Sequence, residues 1–290
     1  MATNTKVKMR LQGHEKFPLR EGWLNKGLRI VNDNPMVFQG KEGPDEFGIG
    51  NNMVKSLRYW LKAFDLIEGT LTKGLTLTEF GKTIYEYDPY IEQDFTLWIL
   101  HSKIAKNIEE ATSWYMFFNR CDLEDMEKDI IEKVLHREIV KYASGQTFSE
   151  KSVKNDLDVI LNMYSKGKKV EDPEEKSVSP FVSLNLIKNC EGSYSKKAPD
   201  RRKINEDVIL FELADLMNGL DNISIEHAIN GECGISKIYQ LKSVDINEML
   251  DRLDSRGYIR VDRTAGLDII YREKDFSQLD VMKEYYIKRG

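Results

Sequence analysis

Apolar positions recur with a helical period over residues 20–33, where Trp23, Leu24, Leu28 and Val31 share one face. The next stretch, NDNPMVFQGKEGPDEFGIG over 32–50, holds four glycines and two prolines, so it reads as a loop. A strong helix is predicted from 51 to about 66. The run IEGTLTKGLTLTEFGKTIYEY then predicts two short strands around a turn at Lys73-Gly74, with Thr78-Glu79 opening another helix. From Pro89 to about Tyr164 the pattern is helical almost throughout, as DFTLWILHSKIAKN, EEATSWYMFFNR, DLEDMEKDIIEKVLHREIVKYA and SEKSVKNDLDVILNMY. Acids crowd the start of the third, where the helix dipole favours them. Ser149 is placed to cap the fourth.

Residues 165–180, SKGKKVEDPEEKSVSP, are charged and lack large apolar side chains, which predicts a linker between domains. Beyond it, FVSLNLIKNC reads as a strand or a short helix, and EGSYSKKAPDRRKI as a polar, basic loop. Helices are expected at about 205–218, 224–230 and 245–256, before strand-like runs at 258–262 and 267–273 joined by RTAG. Residues 20–77 and 224–273 therefore share one order: helix, helix, strand, turn, strand. That order is the grammar of a winged helix. The expected fold is mainly α with small β wings. It divides into an N-terminal winged helix-turn-helix (1–88), a central helical bundle (89–164), the linker (165–180) and a C-terminal winged-helix-like domain (181–290).

The predicted helix from Asn51 is amphipathic in an informative way. At 100° per residue, Asn51, Lys55, Arg58 and Lys62 fall within about 60° of one another. Met53, Leu57, Trp60 and Phe64 cluster opposite. One face is aliphatic and aromatic; the other is amide and cationic, with no acid. Lys and Arg neutralise phosphates or reach guanine, and Asn pairs with adenine, so this face suits a DNA groove. Asn52 beside the stripe and Lys73 in the wing extend it.

Composition sharpens the picture. The 290 residues carry a formal net charge of −5, which excludes a generally basic nucleic-acid coat. Residues 1–40 nonetheless hold seven Lys or Arg against Glu15, Glu21 and Asp33. Hydrophobic residues at 41 % suffice for packed cores. The three cysteines are far apart, which argues against a disulfide framework and fits a reducing cytoplasm. The longest apolar stretch, 95–100, falls far short of the roughly 20 residues of a membrane helix. The first ten residues lack the apolar block of a signal peptide. A cytoplasmic chain with no membrane partner is expected.

The C-terminal copy has the opposite charge. Its second helix turns Asn247, Glu248, Asp251, Arg252 and Asp254 outward, a face a duplex would repel. Its wing holds Arg260, Arg263 and Arg272, and the upstream loop holds Lys196, Lys197, Arg201, Arg202 and Lys203. Protein contact is expected there, or a touch on DNA by the wing alone.

Catalytic signals are sparse. There is no GxxxxGK[ST], HExxH or GxSxG. His14, Glu15 and Arg20 are the candidate catalytic trio: a base or metal ligand, a carboxylate, and an arginine for a phosphodiester. A structural ion pair is the plainer explanation of the same residues. His101, and Trp23, Trp60, Trp98 and Trp114, lie on apolar faces and read as core. Glu124, Asp125, Glu127 and Asp129 would attract a divalent ion, although an acidic helix start explains them too.

Three segments, GHEKFPLREGWLNKG, FGIGNNMVKSLRYWLKAFDLIE and DPYIEQDFTLWILH, together with the ending RVDRTAGLDIIY, resemble the SspB-like family of bacterial DNA phosphorothioation and phage-defence operons. The resemblance spans nearly the whole chain. It implies partners: DNA, a cysteine desulfurase, an ATPase and a PAPS-reductase-like sulfurtransferase, with a homodimer as one assembly it allows. It implies a role in preparing DNA for sulfur incorporation, including a nicking activity that would use Mg²⁺ or Mn²⁺. No metal ligands are assigned. The alternative is a non-enzymatic winged-helix regulator or scaffold that binds DNA and partner proteins.

Overall fold

A computed structural model describes residues 6–40, 42–165 and 178–289. Helix α1 (Trp23–Asp33) begins after Gly22, which takes φ +76°, a left-handed conformation open to glycine at little cost. The stretch expected to be all loop contains a short helix, α2 (Gly43–Phe47), started by Pro44 in its first turn. Helix α3 (Asn51–Ala63) comes next, then an antiparallel hairpin of β1 (Ile67–Thr70) and β2 (Gly74–Leu77). Helix α4 (Glu79–Tyr87) is capped as expected, the Thr78 hydroxyl accepting from Gly81 N at 2.9 Å.

Helix α5 (Asp94–Lys106) runs through the middle of the molecule, with ten of its thirteen residues buried. Helix α6 (Thr112–Arg120) packs on it. The third predicted helix is corrected at its start. Residues 122–127 are not helical; Met126–Glu127 form strand β3, and α7 runs Lys128–Ala143. The physical reason is a distant partner: β3 pairs with Tyr194 and Ser193, far along the chain. Helix α8 (Glu150–Tyr164) has Ser149 at its N-cap position, but that side chain makes no capping bond.

The expected linker lies mostly outside the described residues, at 166–177. On either side of it, the rings of Tyr164 and Phe181 are 5.5 Å apart and both buried. A 3-10 turn (Pro180–Leu184) leads into β4 (Ile187–Cys190) and β5 (Ser193–Lys196). Four of the fourteen residues of the segment expected as a basic loop, Ser193–Lys196, are therefore strand. The chain continues through α9 (Glu206–Leu216), β6 (Asn222–Ser224), α10 (Ile225–Asn230), α11 (Ile235–Tyr239), α12 (Ser243–Ser255), β7 (Ile259–Asp262), β8 (Ile269–Arg272) and α13 (Gln278–Arg289).

The molecule is mainly helical with small antiparallel sheets. Two sheets share one topology. In each, a short strand leads straight into a helix and pairs with the second strand of a later hairpin, giving the orders β3-β5-β4 and β6-β8-β7. The chain orders run in parallel, α6, β3, α7, α8, β4, β5 against α9, β6, α10, α11, α12, β7, β8, the second with one helix more. The N-terminal elements α1, α2, α3, β1, β2 repeat that order without the leading strand.

Candidate nucleic-acid interface

Burial divides α3 sharply. Leu57, Trp60, Leu61 and Phe64 are fully buried. Asn51, Asn52 and Lys55 are exposed, and Arg58 and Lys62 are half-buried. The amide and cationic stripe thus faces outward along the helix. Lys55 Nζ lies 3.3 Å from Asn52 Oδ1, within the stripe itself. Lys62 Nζ reaches toward Gly69 O at 3.5 Å, so the stripe continues onto β1, and Lys73 stands exposed at the hairpin turn.

An arm formed by residues 6–22 backs this helix. Phe17 O accepts from Trp60 Nε1 at 3.2 Å, and Arg10 lies over the Tyr59 ring. Partial burial, and then the neighbouring charge of Arg10, hold the Arg58 guanidinium below its ordinary pKa.

Pairing separates the cations of the two ends. Lys8 is held by Glu109 at 2.5 Å, Arg10 by Glu110 at 2.7 Å and Lys82 by Glu79 at 2.7 Å. Among the described residues, Lys16, Arg20, Arg29, Lys55, Arg58, Lys62 and Lys73 form no ion pair, these three and Lys103–Asp65 being the Lys or Arg pairs of this part. The C-terminal part is the reverse. Arg201 bridges Asp245 at 2.7 Å and Glu248 at 2.9 Å, and Arg202 pairs with Asp200, whose carboxyl its hydrogen bond holds down to about 2. Arg263 is locked to Asp251 at 2.7 Å and Asn247 at 2.9 Å, and Arg260 to Glu273. Arg272 donates to the carbonyls of Met217 and Phe276. Lys196, expected in a basic patch, donates instead to Phe118 O and Cys121 O, and burial pushes its pKa down to about 8.

The catalytic trio is not brought together by any hydrogen bond or ion pair among the described residues. His14 is fully buried. Its Nε2 lies 2.7 Å from Asp156 Oδ1, and its Nδ1 accepts from Lys16 N at 3.0 Å, so the proton sits on Nε2. Its ring stacks on Trp60. Asp156 also accepts from Ser113 Oγ at 2.5 Å and Gln12 N at 2.8 Å. Glu15 is exposed, and Arg20 lies over Trp23. The geometry makes His14 a clamp between the arm, α3 and α8. Sequence reasoning missed Asp156, although an acid among Val153, Leu157 and Ile160 on an apolar face was a signal. Among the described residues no three His, Cys, Asp or Glu side chains converge to hold a metal, the Glu124–Asp129 group included.

The fold defines a class: a mainly helical chain with three helix-and-hairpin units, shared with two solved structures. One is described as "Magnesium ion-bound SspB crystal structure" (TM-score 0.86, 22 % identity), the other as "SspB crystal structure" (0.85, 23 %); each match covers 97 % of this chain and 89 % of the other. No curated protein matches the chain. Over residues 11–286 the sequence matches the family described as "Protein of unknown function (DUF4007)", and the chain belongs to that family.

Proposed function

We propose that this chain is the DNA-binding component of a DNA phosphorothioation or phage-defence system, holding DNA through an N-terminal winged helix. The observation that carries it is the stripe of Lys55, Arg58 and Lys62 beside Asn51 and Asn52, whose cations form no ion pair among the described residues. Cations with no ion pair among the described residues have no salt bridge to give up to a phosphate, whereas the paired C-terminal arginines must first break theirs. The C-terminal unit is accordingly assigned to protein contact. Its partners in this reading are the cysteine desulfurase, ATPase and sulfurtransferase of such a system.

The test is duplex binding by the Lys55→Ala, Arg58→Ala, Lys62→Ala triple variant. A large loss of affinity in a folded triple variant, with an Arg201→Ala, Arg263→Ala control unchanged, is the expected result. Undiminished binding removes α3 from the interface.

Nicking is a finer proposal. One of the similar structures is described as binding magnesium, but the described residues of this chain do not assemble a metal centre of their own, so no step is routed through one. Supercoiled plasmid with Mg²⁺ or Mn²⁺ decides it. Open-circle product supports an enzyme; a shift with intact plasmid supports a binding module.

A further inference from the structure

Helix α8 occupies in the middle unit the place α3 holds in the first and α12 in the third: the last helix before the hairpin. Sequence pattern hid this, because the two-residue β3 is visible only once paired with β5. The outward faces of the three helices differ in chemistry. That of α12 carries Asp245, Glu248, Asp251 and Asp254, and the arginines over it are tied down. That of α8 carries Lys151, Lys154 and Asn162, all exposed, with Asn155 half-buried between them. At 100° per residue these four span about 100° of the helix.

The one acid on that stripe, Asp158, is neutralised by Lys128 from α7. Glu150 lies on the flank, where its carboxylate faces His136 at 3.8 Å. Lys151 and Lys154 form no ion pair among the described residues, the only one α8 makes with a Lys or Arg being Lys128–Asp158. The β4–β5 hairpin adds exposed Lys188. In its mixture of amides and free cations α8 resembles α3, not α12.

The two helices are neighbours. Gln12 of the arm accepts from Ser152 and Asn155 of α8, while His14, two residues on, joins Asp156 of α8 to Trp60 of α3. Both helices are roughly 20 Å long, each shorter than one 34 Å turn of duplex.

We propose that α8, through Lys151 and Lys154 with Asn162, makes a second contact with the phosphate backbone of DNA. This rests on the assignment of α3 to DNA. The test is the salt dependence of binding to a duplex of about three helical turns, for the wild-type chain, the α3 triple variant and a Lys151→Ala, Lys154→Ala double variant. Both lysines are exposed, so the double variant should unfold like wild type. Two lost phosphate contacts flatten the slope of log K against log salt by about 1.8. A double variant with the wild-type slope, alongside an α3 variant that is flattened, overturns the α8 contact and leaves α3 standing. Wild-type slopes in both variants overturn both.

Discussion

His101 shows what a single buried side chain does to the whole chain's stability. Its Nδ1 accepts from Tyr164 Oη at 2.8 Å and its Nε2 donates to Ile238 O at 2.7 Å, so the neutral ring is fully satisfied and a second proton has nowhere to go. Burial pushes its pKa from 6.5 down to about 4. The unfolded chain therefore takes up a proton that the folded chain refuses. Stability is complete above pH 6.5 and is lost as pH falls toward 4, by about 3 kcal/mol in total. Urea unfolding at several pH values should show that decline in wild type and a shallower one in His101→Gln; parallel curves would contradict it. His101 and the four tryptophans were legible as core because apolar neighbours at helical spacing announce burial. His14 and Lys196 were not. Each sits in a polar, basic stretch, and each is buried by a partner more than 70 residues away.

At the level of elements, the long helices and the hairpins β1–β2 and β7–β8 were legible, and the strands β3, β5 and β6 were not. Helix α3 declared itself by period, and the β1–β2 hairpin by the turn at Lys73-Gly74 with glycine at φ +95°. Strands β3 and β6 run two and three residues and owe their form to pairing across the chain, which no local window contains, whereas β5 pairs locally with β4 across Glu191-Gly192. Residues 122–127 looked like an acidic helix start for that reason. Thr78 tests how the hairpin is fixed to α4. Its hydroxyl accepts from Gly81 N at 2.9 Å and donates to Asp65 O at 2.7 Å, tying the end of α3 to the start of α4. Thr78→Ala should cost about 1–2 kcal/mol and Thr78→Ser much less, by thermal or urea unfolding. Equal losses would mean that the methyl group, not the hydroxyl, matters.

The molecule as a whole joins three units of one order around α5 and straps the first to the second with its N-terminal arm. Asp156 is the buried knot of that strap, taking bonds from Gln12, His14 and Ser113 at once. Asp156→Ala would strand three donors, and a loss of about 3 kcal/mol or more is expected in urea unfolding. A near-neutral substitution would show the arm to be dispensable. The division of charge among the units is the larger point: free cations on α3, paired arginines around α12. Its most direct measurement is the salt dependence of duplex binding by wild type and by the Lys55→Ala, Arg58→Ala, Lys62→Ala variant. Three phosphate contacts release about 2.7 counterions, so the variant's slope should be flatter by about that amount. Identical slopes in two folded proteins would mean that the stripe on α3 never meets the phosphate backbone.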